Sequence, residues 1–144
     1  MILREMMTVR LVTASEEQSV RSALEIMRRF HIRHLLVTDK RGYLSGLTTD
    51  RDLRAIAPSS LIGAKSRESD VLDKKLRDVM VRNPAVASAA TSLEEAAKVM
   101  YIRKIGALPV INESGRPEGI VTATDLLGVM AGLKGPAAPA ARLA

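Results

Sequence analysis

No cysteine occurs in the 144-residue chain, which excludes disulfides, thiolate nucleophiles and thiolate metal ligands. Aromatic residues are nearly missing as well: they make up 2 %, with no Trp, and Phe30, Tyr43 and Tyr101 are the whole supply. Sequence-tolerant binding of single-stranded nucleic acid rests on aromatic stacking platforms, and three rings provide few. Hydrophobic residues still reach 47 %, so the core has to be aliphatic, built from Leu, Ile, Val, Met and Ala. No apolar run approaches the ~18 residues of a membrane span, and the start shows no signal-peptide apolar region with a cleavage site. A cytoplasmic protein is expected.

Catalytic signatures are also lacking. There is no Gly-x-Ser-x-Gly nucleophile elbow, and neither of the two histidines has a designated orienting partner. His31 and His34 stand three apart at a helix exit, with no third ligand in view, which is not a metal site. No catalytic residue, no metal and no enzyme activity are expected. Basic residues outnumber acidic ones, 22 to 16, for a formal charge of +6. They are scattered (Arg28 and Arg29, Lys40 and Arg41, Lys74 and Lys75, Arg103 and Lys104). This reads as a solvated basic surface that also attracts small anions.

What the chain does have is a repeat. Gly46-Leu47-Thr48-Thr49-Asp50-Arg51-Asp52-Leu53 and Gly119-Ile120-Val121-Thr122-Ala123-Thr124-Asp125-Leu126 stand 73 positions apart. The same offset holds without a gap from Leu3/Leu76 through Met7/Met80, Ser19/Ser92, Met27/Met100, Leu35/Leu108 and Gly42/Gly115. Each unit opens with a lead-in (Leu3 to Met7; Leu76 to Met80) and a brief extended piece near Leu11 to Thr13, matched by Ala85 to Ala87. Ser19 and Ser92 then read as N-caps, the second within a capping box Ser92-Leu93-Glu94-Glu95. The helix stripes are Val20, Ala23, Leu24 and Met27, and Leu93, Ala96, Ala97 and Met100. Strands follow at Leu35 to Thr38 and Leu108 to Ile111. Asp39 to Gly42 and Asn112 to Gly115 are turn chemistry, and Tyr43 to Thr48 and Pro117 to Val121 return as hairpin partners. The fold class is α/β (α+β): two β-α-β-β-α repeats, over 1–57 and 75–133. A polar, turn-rich linker is expected over 58–74 and a disordered Pro/Ala tail over 134–144.

The eight-residue repeat carries the chemistry. Its Gly and apolar or β-branched pair suit the end of a strand. Thr49 and Thr122 can cap the helices that follow, which puts a hydroxyl and free backbone N–H groups where a phosphate is welcome. Asp52 and Asp125 lie three residues on, on nearly the same helix face, and a carboxylate there can accept two hydrogen bonds from a vicinal diol. Asp50 and Arg51 have no counterpart in Ala123 and Thr124 and read as surface charge. Six methionines, Met6, Met7, Met27, Met80, Met100 and Met130, read as core fillers. Leu126, Leu127, Met130 and Leu133 form a stripe that suits either core or dimer surface.

With these residues in place the sequence resembles the cystathionine-β-synthase (CBS) domain family: it looks like a tandem CBS pair, or Bateman module, over about residues 1 to 133. His34-Leu35-Leu36-Val37, Ala107-Leu108-Pro109-Val110 and the two Gly-x-x-Thr-x-x-Asp stretches carry the resemblance. Asp52 to Ser59 and Lys104 to Val110 are similar to the acetoin-utilisation type. The resemblance implies two three-stranded sheets with two clefts between the repeats, adenosine ligands in them (AMP, ADP or ATP, less often S-adenosylmethionine or NAD), and a homodimer. It implies that Asp52 and Asp125 hold ribose, that Thr49 and Thr122 contact phosphate or ribose, and that basic residues just before the second strand meet phosphate. Here those are Arg33 and His34 in the first repeat. The second has Gly106 and Ala107 instead, which carry no charge but let backbone approach a base. The expected function is a regulatory, energy-sensing adenine-nucleotide module that signals through a dimer to a partner protein. The alternatives are a basic nucleic-acid-binding protein and a structural dimerisation module with vestigial clefts.

Overall fold

The computed structural model describes residues 1–57 and 70–136. Most of the expected linker, 58–69, and the end of the expected tail, 137–144, lie outside the described residues. The chain divides into two compact units, Val12–Pro84 and Met1–Leu11 with Ala85–Ala144.

In the Val12–Pro84 unit, β1 (Thr13–Ser15) leads to α1 (Val20–Phe30), β2 (His34–Thr38), β3 (Leu44–Thr49), α2 (Asp50–Ile56), a short α3 (Leu76–Val79) and β4 (Val81–Arg82). The sheet order is β1-β2-β3-β4, with β1 parallel to β2 and the other pairs antiparallel. Local chemistry explains most of these elements. Ser19 Oγ accepts from the Ser22 N–H at 3.1 Å and starts α1. His31, in the left-handed region at φ 53°, ends it. Asp39 Oδ1 accepts from the N–H groups of Arg41 and Tyr43, and Gly42 takes the positive φ of 84° that closes the hairpin. The apolar stripe is buried at Val20, Ala23 and Met27, against Leu35, Val37, Leu53 and Leu76.

The other unit repeats this plan. It holds α4 (Leu93–Arg103), β5 (Ala107–Ile111), β6 (Pro117–Thr122) and α5 (Ala123–Met130), preceded by a 3-10 turn at Leu3–Glu5. Ser92 Oγ accepts from Glu95 N–H, Lys104 takes the left-handed cap at φ 54°, and Asn112 Oδ1 collects the N–H groups of Ser114 and Arg116. The hairpin irregularity falls at Val37/Thr38 in one unit and Val110/Ile111 in the other, the same position of the repeat. β5 and β6 form a two-stranded sheet flanked by single bridges, Ala87 parallel to Val110 and Thr8 antiparallel to Ile120.

Repeat and compact unit divide the chain differently, because each lead-in packs on the other copy's core. Leu3 and Met6 are buried with Ala96, Met100, Leu108, Val110 and Val121, whereas Leu76 is buried with the α1 and β2 residues. Matching hydrogen bonds seat them: Leu3 N–H to Thr91 O, and Leu76 N–H to Gln18 O. On one side Glu17 also holds Lys75 and Arg77 through its two carboxylate oxygens, at 2.6 and 2.8 Å. The exchange adds backbone pairing at the far side of each hairpin: strand β4, with Val81 opposite Leu47, in one, and a single bridge, Thr8 opposite Ile120, in the other. The first sheet therefore has four strands where the family resemblance implied three. The extended piece expected near Leu11 to Thr13 forms two residues later, at Thr13–Ser15, where it pairs with Leu36 to Thr38. Met130 is a correction of another kind: it is 84 % exposed, as Leu127 is at 64 %, so these two side chains stay out of the core, while Leu126 and Val129 of the same helix pack against it.

Candidate ligand-binding site

Both Gly-x-x-Thr-x-x-Asp stretches run from the last residues of a hairpin into a helix. Gly46 and Gly119 are buried in that hairpin for a packing reason. A Cβ on Gly46 would run into the Met80 side chain and stand 2.9 Å from the Val81 carbonyl oxygen. A Cβ on Gly119 would run into Met7, the equivalent methionine of the other lead-in. The glycine thus makes room for the exchanged lead-in, a role that strand propensity alone did not reveal.

Thr49 caps α2: its Oγ1 accepts from the Asp52 N–H at 3.0 Å. Thr122 caps α5 in the same way, accepting from the Asp125 N–H at 3.2 Å. The helix ends are then tied to the residue just before the neighbouring strand of each hairpin, β2 or β5. Asp50 N–H donates to Arg33 O at 2.9 Å, and Ala123 N–H to Gly106 O at 3.0 Å. His34 lies directly across the ladder from Thr49, and Ala107 across from Thr122. The structure therefore brings Arg33, His34, Thr49 and Asp52 to one end of one hairpin, and Gly106, Ala107, Thr122 and Asp125 to the corresponding end of the other. Arg33 is exposed and His34 half-buried. Ala107 is buried within the sheet, and the carbonyl of exposed Gly106 is committed to Ala123.

The two carboxylates differ. Asp52 is exposed, and its side chain has no partner among the described residues; its neighbour Asp50 pairs instead with Arg54 at 2.8 Å. Asp125 is only 14 % exposed and fully engaged. One oxygen accepts from the Thr122 N–H at 2.8 Å, completing a capping box, and the other receives the Lys134 ammonium. Lys134 lies outside the duplicated stretch, so the repeat register carried no sign of it. Among the described residues no group of three or more His, Cys, Asp or Glu side chains is placed to hold a metal ion, and no helix is long and apolar enough to cross a membrane. His31 serves instead as the left-handed end of α1.

The family model for the CBS domain matches this chain twice, over residues 3–58 and 76–132. The chain belongs to the CBS domain family. A CBS domain-containing protein of Dictyostelium discoideum is 32 % identical over 142 residues, covering 96 % of this chain and 97 % of the relative. The crystal structure of CBSX2 in complex with AMP superposes with a TM-score of 0.76 at 28 % identity, covering 90 % of this chain and 96 % of that one; CBSX2 is a CBS-pair protein of Arabidopsis thaliana. A Vibrio cholerae protein assigned to acetoin utilization, AcuB, matches with a TM-score of 0.76 at 27 % identity, covering 92 % of each chain. The fold is that of a CBS pair, the Bateman module, and the likeness extends to the acetoin-utilisation type.

Proposed function

We propose that this CBS pair is a cytoplasmic regulatory module that binds an adenosine-type ligand through its two Thr/Asp grips and passes occupancy through a homodimer to a partner protein. One observation carries the reading. In both copies a threonine hydroxyl caps a helix whose aspartate, one turn in, stands at the same end, beside the start of the neighbouring strand. A hydroxyl, a carboxylate and, in the first copy, the exposed Arg33 guanidinium suit the diol and phosphate of a nucleotide. A relative that spans nearly the same length was crystallised with AMP, which supports AMP first and ADP or ATP next, ahead of S-adenosylmethionine or NAD. Asp52 and Asp125 hold ribose, Thr49, Thr122, Arg33 and His34 meet phosphate or ribose, and the Gly106-Ala107 backbone faces the base. No side chain in this set is assigned a catalytic role. Regulation follows if the ligand prefers one state of the dimer, because only differential affinity shifts such an equilibrium.

A thermal-shift panel of AMP, ADP, ATP, NAD and S-adenosylmethionine tests this on the wild type, Asp52→Ala, Asp125→Ala and the double variant. One ligand at about a hundred times its Kd adds roughly 2.7 kcal/mol of stability, and the double variant loses most of that gain. No shift with any of the five overturns the reading in favour of a structural module. Strongly salt-dependent binding of a polynucleotide, indifferent to both aspartates, points instead to the basic surface.

A further inference from the structure

The chain beyond α5 does not run straight on. Ala131 N–H bonds to Leu127 O and Gly132 N–H to Val129 O, and then the Leu133 and Lys134 N–H groups both return to Gly128 O, at 2.8 and 3.1 Å. Gly132 and Gly135 take positive φ values of 72° and 109°, conformations that suit glycine. Gly128 contributes by having no side chain: a Cβ there would stand 3.3 Å from Lys134 Cβ. The Lys134 stem therefore lies across the helix, and its ammonium reaches back nine residues to Asp125 Oδ1, with Thr8 Oγ1 at 3.5 Å. The pair is partly shielded, at 31 % and 14 % side-chain exposure. The equivalent carboxylate of the first repeat, Asp52, carries no such partner among the described residues.

We propose that Lys134 is a built-in occupant of the second grip. It is a latch that a ligand's diol has to displace from Asp125, so that the two grips differ in affinity by construction. The proposal rests on the ligand reading above and goes beyond it by naming which grip is open and what holds the other shut. The grip at Asp52, whose carboxylate has no partner among the described residues, fills first. At Asp125 the apparent Kd equals the intrinsic Kd divided by the fraction of molecules with the latch open. A hydrogen-bonded ion pair of this partial burial favours the closed form about three- to tenfold, and the second site is weakened by that factor. The strap that carries Lys134 is also the direct continuation of α5, so displacement of the ammonium frees the Gly132 to Gly135 turn from its anchor.

The experiment is calorimetric titration of AMP into full-length protein carrying Asp52→Ala, which isolates the second grip, with Lys134 intact or changed to Met or Arg. Lys134→Met keeps the stem and removes the charge, and it is expected to tighten AMP about three- to tenfold; Lys134→Arg retains the pair and stays near the parent affinity. Adding Asp125→Ala should abolish the tightened site. Unchanged or weaker AMP binding in the Met variant, with the fold intact by circular dichroism, overturns the latch while leaving the ligand reading in place. Failure of AMP to bind the wild type or any variant overturns both. Limited proteolysis of the ligand-free proteins gives an independent reading: cleavage within 131–135 is faster in Lys134→Met than in Lys134→Arg, and equal rates count against a strap held by this contact.

Discussion

The paired substitutions Gly46→Ala and Gly119→Ala test whether the exchanged lead-ins are part of the hairpin ends that carry the candidate site. Neither glycine needs a positive φ, so alanine suits the backbone at both places, and the only question is space. At Gly46 the new methyl meets the Met80 side chain and, at 2.9 Å, the carbonyl oxygen of Val81, which is fixed because β4 pairs with β3 there. The side chain can swing away, but the backbone oxygen can move only if the ladder opens. Overpacking of this kind costs about 1–3 kcal/mol. Loss of glycine's freedom in the unfolded chain returns about 0.4–1 kcal/mol. The net expected loss is about 1–2 kcal/mol, a fall in Tm of about 3–8 °C for a chain of this size. At Gly119 the three nearest atoms to the methyl all belong to the Met7 side chain: Sδ, which it overlaps, Cγ at 3.0 Å and Cε at 3.2 Å. Met7 is half-buried and flexible, so its movement and the unfolded-state gain roughly cancel, for a change within about 0.5 kcal/mol. Urea unfolding with thermal melts of the two variants gives the comparison. The reasoning is refuted if Gly119→Ala costs as much as Gly46→Ala, because the asymmetry comes entirely from the backbone oxygen.

Two further outcomes follow from single side chains. Thr48 is buried with its hydroxyl unpartnered among the described residues, and the other copy has Val121 at that position. Thr48→Val should therefore stabilise by about 1 kcal/mol, and a destabilised variant in chemical denaturation would show that the hydroxyl has a partner after all. Glu17 is held below its ordinary pKa of 4.5, first by the hydrogen bond from Lys75 and then by the charge of Arg77. A depressed carboxylate contributes stability that is complete above its unfolded value and is lost as pH falls through the folded one. Stability of the wild type over Glu17→Gln should accordingly be largest near neutral pH and vanish in acid. A gap that is independent of pH, measured by unfolding midpoints from about pH 7 down to about pH 3, would contradict the assignment.

Much of this was legible in the residues because it is written over three or four positions. Ser19, Ser92, Thr49 and Thr122 cap the helices that follow them, and Asp39 and Asn112 close their hairpins, through hydrogen bonds to backbone two to four residues away. Such contacts depend on spacing, which a sequence displays directly. The duplication then made a pair of weak motifs into a strong one. The helix stripes were also readable, apart from the last, where Leu127 and Met130 turned out to face away from the core of their unit.

The sequence alone determined the repeat, its caps and turns, and the paired threonine and aspartate positions, since each is specified by neighbours along the chain. The three-dimensional packing decided which core each lead-in joins. Leu3 and Leu76, or Met7 and Met80, are so alike that either copy satisfies either core by pattern, and only the closure of the chain chooses between them. It also decided why Gly46 and Gly119 are glycine, since the atoms that crowd them come from the opposite repeat. Lastly it set Lys134 on Asp125 while Asp52 has no side-chain partner among the described residues, an inequality that no periodicity encodes because the lysine lies beyond the repeat and reaches the aspartate only through the fold of the strap.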